Sequence, residues 1–494
     1  MSIRSSVSRG GFGLALGLGL TTGLPGCSED PEERPSSADP AEVDLALASL
    51  SVSVGDLEPS FGPEVEAYAV AFEGSATTTL VAAPRNPDAT VTINGVAGGE
   101  QRLRTPLGTT EVVVRVAVGA ASRDHRVTLT RSGDYVAEPA IQPPDEPPMD
   151  EENPNLKGYG FPTVSPDGRF IALQLSAPTT FVFNRYIDVY RADGPDIVFE
   201  KRLENPDLPV AFCDRDPGCL WTYAEPFDDK PGRWQFTLWG DGGWSEKGPS
   251  WEWSSSDPSP FLLDVDAPYE ALSFDPESGG ETVPLLADGT IGTAGDAVPG
   301  LVWMDTIGGH VVSKDRSVLI HTNWDDELGA GPGLSVYGRS PSGWTLEQTI
   351  APAEPTPYFG SAMLLSDDGK ELYVGDSWAI VDGLQEAGAV FHYTRGPSGF
   401  ELAETFEEPT PRAGAGFGGF LRGDAATGVV FAGAVDAEPF ATTEWSTLVY
   451  SLRDPAAAHR LKHPGGVLKA PRDVRFFAGV SHDDRGHGVL NVYR

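Results

Sequence analysis

Six of the eleven tryptophans of this 494-residue chain lie close together in one stretch. They occupy positions 221, 234, 239, 244, 251 and 253. Aromatic rings on loops stack on sugar rings, which favours a glycan site, whereas bulky aromatic residues also fill the contacts between adjacent β-sheets. Trp244, Trp251 and Trp253 are set among Gly, Ser, Pro and Lys rather than in regular alternation. These three are therefore the residues that we expect to be exposed and to bind a ligand.

Two histidine-containing stretches carry groups that acid–base or metal chemistry would need. Residues 482–487 (HDDRGH) combine imidazoles and carboxylates, but the same composition is typical of a hairpin turn, which is the interpretation we adopt. His459 and His463 lie four positions apart but lack the glutamate of a metalloprotease helix. No Ser/His/Asp order, nucleophile elbow or phosphate-binding glycine loop can be made out, so no catalytic residue and no metal ligand is predicted.

Residues 422–424 spell RGD, the tripeptide that integrins bind. In a chain with 58 glycines, chance and a tight turn explain such a tripeptide. We therefore assign it no function.

The three cysteines divide into one near the N-terminus and a pair further on. Cys213 and Cys219 flank the residues DRDPG, and a Pro-Gly turn can bring the two thiols together. Two cysteines alone cannot complete a structural zinc site. We predict a Cys213–Cys219 disulfide, formed in an oxidising compartment.

The N-terminus has the pattern of an export signal. Arg4 and Arg9 precede a short apolar run, residues 12–24, and the sequence LPGC follows at 24–27. This resembles a bacterial lipobox, which implies that residues 1–26 are a lipoprotein signal peptide and that Cys27 is lipidated; an ordinary signal peptide cut nearby is the alternative. The apolar run is too short to span a membrane, and no later stretch reaches about 18 apolar residues. We expect a lipid-anchored protein of the cell envelope, in the outer membrane or at the cell surface.

Composition excludes one class of partner and indicates the fold class. With 35 Lys and Arg against 72 Asp and Glu, the net charge is −37, which repels nucleic acid and attracts divalent cations. The 58 Gly and 43 Pro residues, with almost no helix-period apolar pattern, are typical of an all-β chain with many turns. The length exceeds one compact core, so at least two domains are expected.

Two acidic, Pro-rich segments separate the candidate domains. Residues 27–43 are poor in large apolar side chains, which predicts a disordered tether. Residues 132–157 form a Pro/acidic linker that we expect to hold two folded parts apart.

Residues 44–131 show the period-2 alternation of a small β-sandwich. Val112, Val114, Val116 and Val118 alternate with other residues, and Asn94-Gly95 is a hairpin signal. The order of features resembles the bacterial cadherin-like sandwich family. The residues that carry this resemblance are Leu47, Leu50, Gly55, Leu57, Pro59, Phe61, Tyr68 and Leu107-Gly108. His125 occupies the position at which an aromatic residue is expected in the closing strand. The resemblance implies a spacer or adhesion module, and no acidic cluster suggests calcium ligands.

Residues 158–494 contain a repeat whose most complete copy is Tyr358–Phe406. Strands are predicted at 361–365, 372–374, 389–393 and 400–402, separated by Gly, Pro, Ser and Asp turns. A strand ending in an aromatic residue recurs at Tyr190, Trp239, Tyr337, Tyr393, Tyr450 and Tyr493, with a degenerate copy near Leu286. The spacing predicts a β-propeller of seven four-stranded blades. Its last copy ends after a third strand, and we expect the fourth from around 155–160.

The repeat resembles two groups of bacterial propellers. Residues 359–361 (FGS), the Asp-Gly turn and residues 373–375 are similar to FG-GAP repeats, and residues 165–168 (SPDG) are similar to TolB-type repeats. FG-GAP units often hold calcium in an Asp-rich loop, but the spaced Asp pattern of that loop is absent from every copy. No cofactor is identified, and calcium stays an open possibility without its usual motif.

These features predict an all-β envelope lipoprotein with a small sandwich followed by a propeller. The predicted function is binding or adhesion, with a glycan or protein ligand on the loop face of the propeller. The predicted membrane contact is made through the lipid anchor. The alternatives are a propeller enzyme acting on polysaccharide, as a lyase or a hydrolase, and a scaffold without catalytic activity in an envelope complex.

Overall fold

The structure of the protein is a computed structural model, and it divides the chain into two compact units, residues 1–44 and 45–494. It describes residues 43–144, 158–176, 185–203, 208–213, 219–224, 232–240, 243–245, 250–253, 261–264, 270–275, 279–285, 291, 295–299, 301, 309–325, 330–354, 356–435, 446–462, 468–482 and 488–494. Within these ranges every regular element is a strand, so no helix long and apolar enough to cross a membrane is found among them. The predicted signal peptide, Cys27 and nearly all of the predicted tether lie outside the described residues.

The first eight strands form the predicted sandwich. They are β1 (Leu47–Val52), β2 (Ala67–Glu73), β3 (Thr77–Pro84), β4 (Thr90–Ile93), β5 (Val96–Ala97), β6 (Glu100–Arg104), β7 (Gly108–Val118) and β8 (Ala121–Ser132). One sheet has the order β1-β3-β6 and the other β2-β8-β7-β4-β5. The alternating residues Val112, Val114 and Val116 are fully buried between the sheets, as period-2 patterning requires. His125 is also fully buried, with its Nδ1 2.8 Å from the Val65 carbonyl oxygen, so it takes the inward place of the expected aromatic residue.

The remaining strands form successive antiparallel meanders. The first two sheets contain β9 (Gly158–Val164), β10 (Phe170–Ser176), β11 (Arg185–Arg191) and β12 (Val198–Leu203), then β13 (Leu208–Phe212), β14 (Cys219–Ala224), β15 (Gly232–Gly240), β16 (Gly243–Ser245) and β17 (Ser250–Trp253). The third and fourth contain β18 (Phe261–Asp264), β19 (Glu270–Asp275), β20 (Gly279–Pro284) and β21 (Asp296–Val298), then β22 (His310–Val312), β23 (Val318–Asp325), β24 (Ala330–Ser340) and β25 (Gly343–Ile350). The fifth and sixth contain β26 (Phe359–Leu365), β27 (Glu371–Asp376), β28 (Ala389–Gly396) and β29 (Gly399–Glu407), then β30 (Leu421–Asp424), β31 (Val429–Val435), β32 (Ser446–Ser451) and β33 (Asp454–Lys462). The chain ends with β34 (Phe477–His482) and β35 (Gly488–Tyr493).

These sheets are arranged as a β-propeller, in agreement with the predicted fold class. Contacts join the first strands β9 and β13, β18 and β22, β22 and β26, and β26 and β30, while β34 contacts β9 and returns the chain to its first sheet. The aromatic residues that marked the repeat in the sequence all lie in third strands of described sheets, and β20 occupies the place of the degenerate copy. The described strands fall into seven groups, whereas the blade count of the whole chain stays a prediction.

The last group takes its fourth strand from the predicted linker. Lys469 pairs with Ala478 before β34, which supplies a first strand, and residues 136–141 pair with β35 on its other side. The Val136 N–H donates to the Arg494 carbonyl at 2.6 Å, and the Ile141 N–H donates to the Leu490 carbonyl at 2.8 Å. The expected segment, residues 155–160, contributes a single parallel pairing of Gly158 with Gly488 in its described part, and residues 155–157 lie outside the described residues. The hydrogen-bonded partner of most of β35 on that side is therefore the segment 136–141. The Pro-rich composition of residues 132–157 indicated a linker. An outermost strand also tolerates proline, because one row of its N–H groups has no ladder partner.

The sandwich packs against the ring, contrary to the expectation that the linker holds the two parts apart. We call the face at which each first strand begins the entry face, and the opposite face, which carries the turns between first and second strands, the turn face. Arg131, buried in the sandwich, donates to the carbonyls of Thr105 at 3.1 Å and Arg494 at 2.7 Å. The Tyr135 hydroxyl donates to the Val474 carbonyl at 2.8 Å. The sandwich therefore covers part of the turn face.

Candidate functional site

A cavity of about 460 Å³ opens at the entry face beside the first strands of the fifth and sixth sheets. Its described lining consists of Ser361, Ala362, Met363, Gly419, Phe420, Leu421, Arg422, Thr447 and Leu468. Most of these residues belong to or adjoin first strands, the strands that lie nearest to the axis of a propeller, so we call this cavity the channel mouth. The lining contains one charged side chain, Arg422, and no Asp, Glu, His or Cys among the described residues.

Arg422, in strand β30, places a half-buried positive charge beside this cavity. Its Nε and Nη2 donate to the Leu468 carbonyl at 3.2 and 3.0 Å, and its Nη1 donates to the Leu421 carbonyl at 2.6 Å. Burial lowers the pKa of Arg422 to about 10, and the guanidinium stays protonated at neutral pH. Within the described residues no carboxylate pairs with Arg422, so its charge is solvated by carbonyl dipoles and by the Phe420 ring, 5.9 Å away.

Lys469 adds a second cation next to Leu468, on the first strand of the last group. Burial, and then the charge of Arg422, lower the pKa of Lys469 to about 8. In the part of the chain that the structure describes, no ion pair neutralises Lys469. The two cations therefore repel each other across a partly dry site, in a chain whose net charge is −37.

Hydroxyl groups complete the polar side of the cavity. The Ser361 Oγ is buried and has no hydrogen-bond partner among the described residues, and Thr447 contributes a second hydroxyl to the lining. A buried hydroxyl without a partner is costly unless a ligand or a water satisfies it. Together with Arg422, these groups can bind an anionic oxygen, but they do not form the pair of carboxylates that glycoside hydrolysis requires.

A tight glycine turn shapes the wall of the cavity. Gly418 has φ +86°, and a Cβ there would lie 2.6 Å from the Ala389 carbonyl oxygen. Only glycine therefore fits at this close approach between the fifth and sixth sheets. A Cβ on the neighbouring Gly419 would meet the Ser377 Cβ at 3.5 Å, which connects the turn to the loop carrying Trp378.

That loop presents an aromatic pair next to the turn. Trp378 is 41% exposed, and its ring lies 4.7 Å from the ring of Tyr358, centroid to centroid. Asp376 holds the loop: it accepts from the Thr356 hydroxyl at 2.7 Å and from the Trp378 N–H at 3.0 Å. Burial raises the pKa of Asp376. This loop therefore exposes an aromatic ring of the kind that could stack on a ligand. The sequence did not predict a ligand-binding role for it.

Two of the three tryptophans predicted to be exposed belong to the core. Trp244 is 2% exposed and packs edge-on against Phe170 at 5.2 Å, between the first and second sheets. Trp251 is fully buried and stacks on Trp221 at 5.4 Å. The expectation of exposure is wrong for both, since their Gly- and Ser-rich surroundings form the short strands β16 and β17 rather than loops. The side chain of Trp253 lies outside the described residues.

The cysteine pair lies next to this core. Cys213 and Cys219 are joined by a disulfide, with their Cα atoms 5.0 Å apart, as the sequence predicts. The Cys213 N–H also donates to the Cys219 carbonyl at 2.8 Å. Both side chains are buried in one cluster with Trp221 and Trp251, so this bridge closes a hairpin at the inner end of the second sheet.

The repeated Asp-containing turns are closed by their own hydrogen bonds. The Ser165 hydroxyl donates to Asp167 at 2.7 Å and the Ser366 hydroxyl donates to Asp368 at 2.8 Å. Hydrogen bonds from Lys370 and then from Ser366 hold the pKa of Asp368 below its ordinary value. Among the described residues no group of three or more His, Cys, Asp or Glu side chains could hold a metal ion. Of the two histidines of the HDDRGH stretch, His482 is described, whereas residues 483–487, which include His487, lie outside the described part.

Arg422 is the functional candidate that sequence analysis set aside, as part of the RGD tripeptide. Its guanidinium is half-buried and is held by hydrogen bonds to the Leu468 and Leu421 carbonyls. Superposing the Phe-Gly of the sixth repeat, residues 417–418, on that of the fifth, residues 359–360, places Arg422 at the position of Leu364. A cation at an apolar position of a first strand is the signal that would have identified it.

Comparisons with known proteins do not assign a family. No family model and no curated protein sequence matches this chain. Among solved structures, it is similar to Sqt1 from Chaetomium thermophilum (10% identity, 69% of this chain and 95% of that chain, TM-score 0.39). It is also similar to a quinonprotein alcohol dehydrogenase-like protein from Bacteroides thetaiotaomicron (12% identity, 83% and 96%, TM-score 0.35). Neither likeness carries an inference about function.

Proposed function

We propose that this protein is a binding protein whose propeller recognises an anionic ligand at the channel mouth. The observation that carries the proposal is Arg422, a half-buried cation that lines the cavity without a paired carboxylate among the described residues. Burying a charge without a counter-ion is unfavourable, and an anion that enters the cavity offsets that cost. Charge-assisted hydrogen bonds from a guanidinium are among the strongest that a carboxylate or sulfate group accepts.

The cavity volume and its rim support an acid-bearing glycan as the ligand. A volume of about 460 Å³ lies within the range of small-molecule sites and accommodates a ligand of sugar size. Trp378 and Tyr358 offer an apolar ring surface beside the Gly419 turn, and flat apolar faces of sugars stack on such rings. A uronate or sulfated sugar combines both requirements, an acidic group for Arg422 and a ring face for Trp378.

The proposed setting is the cell envelope, with the protein anchored by lipid on Cys27. The lipobox-like sequence at residues 24–27 and the acidic segment that follows support this arrangement. Because the sandwich packs on the turn face, it does not itself cover the entry face in the part of the chain that the structure describes. Changing Cys27 to Ser should release the protein from membranes; a variant that stays in the membrane fraction would defeat the anchor.

The binding proposal is tested by titrating the full chain with sodium glucuronate and, separately, with glucose. Calorimetry should show tighter binding of glucuronate, and Arg422→Met should abolish that preference. The matched control is Arg126→Met, which removes an exposed arginine of the sandwich. Equal affinity for the two sugars, or an effect of Arg126→Met as large as that of Arg422→Met, would overturn the proposal.

A polysaccharide lyase is the second candidate, and the lowered pKa of Lys469 favours it. A lysine with a pKa of about 8 is neutral in part near pH 7 and can accept the proton α to a uronate carboxylate. The β carbon–oxygen bond would then break, giving an unsaturated sugar, while the leaving oxygen takes a proton from water. Product formation from any polymer that binds would establish the lyase, and binding without product supports the first proposal. If the protein is an envelope scaffold, we expect neither binding of such a polymer nor product formation.

A further inference from the structure

A second cavity, of about 480 Å³, lies between the sandwich and the turn face of the ring. Arg104 and Gln101 line it from strand β6 of the sandwich, and Asp193, Asp473 and Arg475 line it from the ring. It is on the opposite face from the channel mouth, and neither the sequence nor the proposed function uses it.

The charges around this cavity are paired, with one exception. Arg102 contacts Asp196 at 2.5 Å, Arg494 contacts Glu138 at 3.1 Å, and Arg475 contacts Asp473. Arg104 has neither an ion pair nor a hydrogen bond among the described residues, and its Nη1 is buried without a partner. The unpaired positive charge of the cleft therefore belongs to Arg104.

A neutral group with an unused acceptor lies on the same strand. The Gln101 Oε1 is buried and has no hydrogen-bond partner in the described part of the chain. Buried polar atoms are rarely left unpaired, and because both residues line the cavity, these two atoms are the groups that a ligand in it can satisfy. Burial, followed by the charges of Arg494 and Arg475, lowers the pKa of Arg104 to about 10, against the smaller opposing effects of Asp193 and Asp473.

We propose that this cleft is a second binding site, which takes a small oxyanion that also carries a hydrogen-bond donor. The oxyanion accepts from Arg104 Nη1, and its hydroxyl donates to Gln101 Oε1. Inorganic phosphate, which keeps at least one O–H group at neutral pH, or a hydroxy acid, has this chemistry, whereas sulfate offers acceptors only. A ligand there touches both the sandwich and the ring, so binding stiffens the junction between them.

The test uses the full chain with Arg422→Met as the background, so that the channel mouth is disabled and the two proposals fail separately. Inorganic phosphate and sulfate are titrated at about pH 6, where phosphate keeps an O–H donor. We expect phosphate to bind more tightly than sulfate, Arg104→Met to weaken both by tenfold or more, and Gln101→Leu to weaken phosphate alone.

Hydrogen exchange of the unsubstituted protein gives a readout that does not depend on variants that fold poorly. Phosphate should slow exchange in residues 101–104 and 193–196 while leaving the channel strands unchanged. Unaltered phosphate affinity in Arg104→Met, or protection confined to other segments, would overturn the proposal. Equal binding of phosphate and sulfate would remove the role assigned to Gln101.

Discussion

The Arg422 guanidinium donates two hydrogen bonds to the Leu468 main-chain carbonyl, from Nε at 3.2 Å and from Nη2 at 3.0 Å. These bonds tie the first strand of the sixth sheet to the last group of strands and fix the guanidinium at the cavity wall. A group held in this way loses little conformational entropy when a ligand arrives. The same contact therefore contributes to the closure of the ring and prepares a site for an anion.

Replacing Lys469 by Met should raise stability near neutral pH. The folded pKa of Lys469 is about 8, below its ordinary 10.5, so the unfolded chain binds the extra proton between these two values. The cost of burying this charge is thus fully present below pH 8 and disappears as the pH rises to 10.5. Melting curves should show Lys469→Met a few degrees more stable than the unsubstituted protein at pH 7, with the difference vanishing near pH 10.5. A difference that does not change with pH would contradict the assignment.

Replacing Val136 by Pro should destabilise the propeller by about 1–3 kcal/mol, because the Arg494 carbonyl loses its donor. The matched control is Ala137→Pro, since the Ala137 N–H makes no hydrogen bond in the described structure. Chemical denaturation measures both variants. If the two lose the same free energy of unfolding, residues 136–141 do not close the ring.

Replacing Trp244 by Ala should cost about 3–5 kcal/mol of folding free energy, because the fully packed indole leaves a cavity between two sheets. Ligand affinity should not change in protein that remains folded. Loss of affinity without loss of stability would instead restore the ligand-binding role that the sequence suggested.

Replacing the exposed Trp378 by Ala should have the opposite pattern. Stability should change little, while the affinity for a sugar should fall by about 0.5–1.5 kcal/mol, the energy expected of one stacked aromatic ring. Calorimetry with glucuronate and a melting curve of the same sample measure the two quantities. Unchanged sugar affinity would exclude Trp378 from the site.

Local patterns predicted the strands well and the contacts between sheets poorly. The unit at residues 358–406 has its four strands where alternation and turn residues placed them, because both signals act within a few positions. The burial of Trp244 depends on Phe170, more than 70 positions earlier, which no local pattern carries. The closing strand at 136–141 was missed because its prolines are compatible with a linker and with an outermost strand alike. Arg422 was missed because its importance comes from the ring, which brings Leu468 to it.

The measurement that tests the central claim most directly compares two ligands that differ in charge alone, glucuronate and its neutral amide. At low salt and pH 7, the affinity ratio of acid to amide is measured by calorimetry for the unsubstituted protein and for Arg422→Met. The account predicts a ratio well above one that falls to about one in the variant, because the charge-assisted hydrogen bond from Arg422 is lost. The same ratio in both proteins would contradict it.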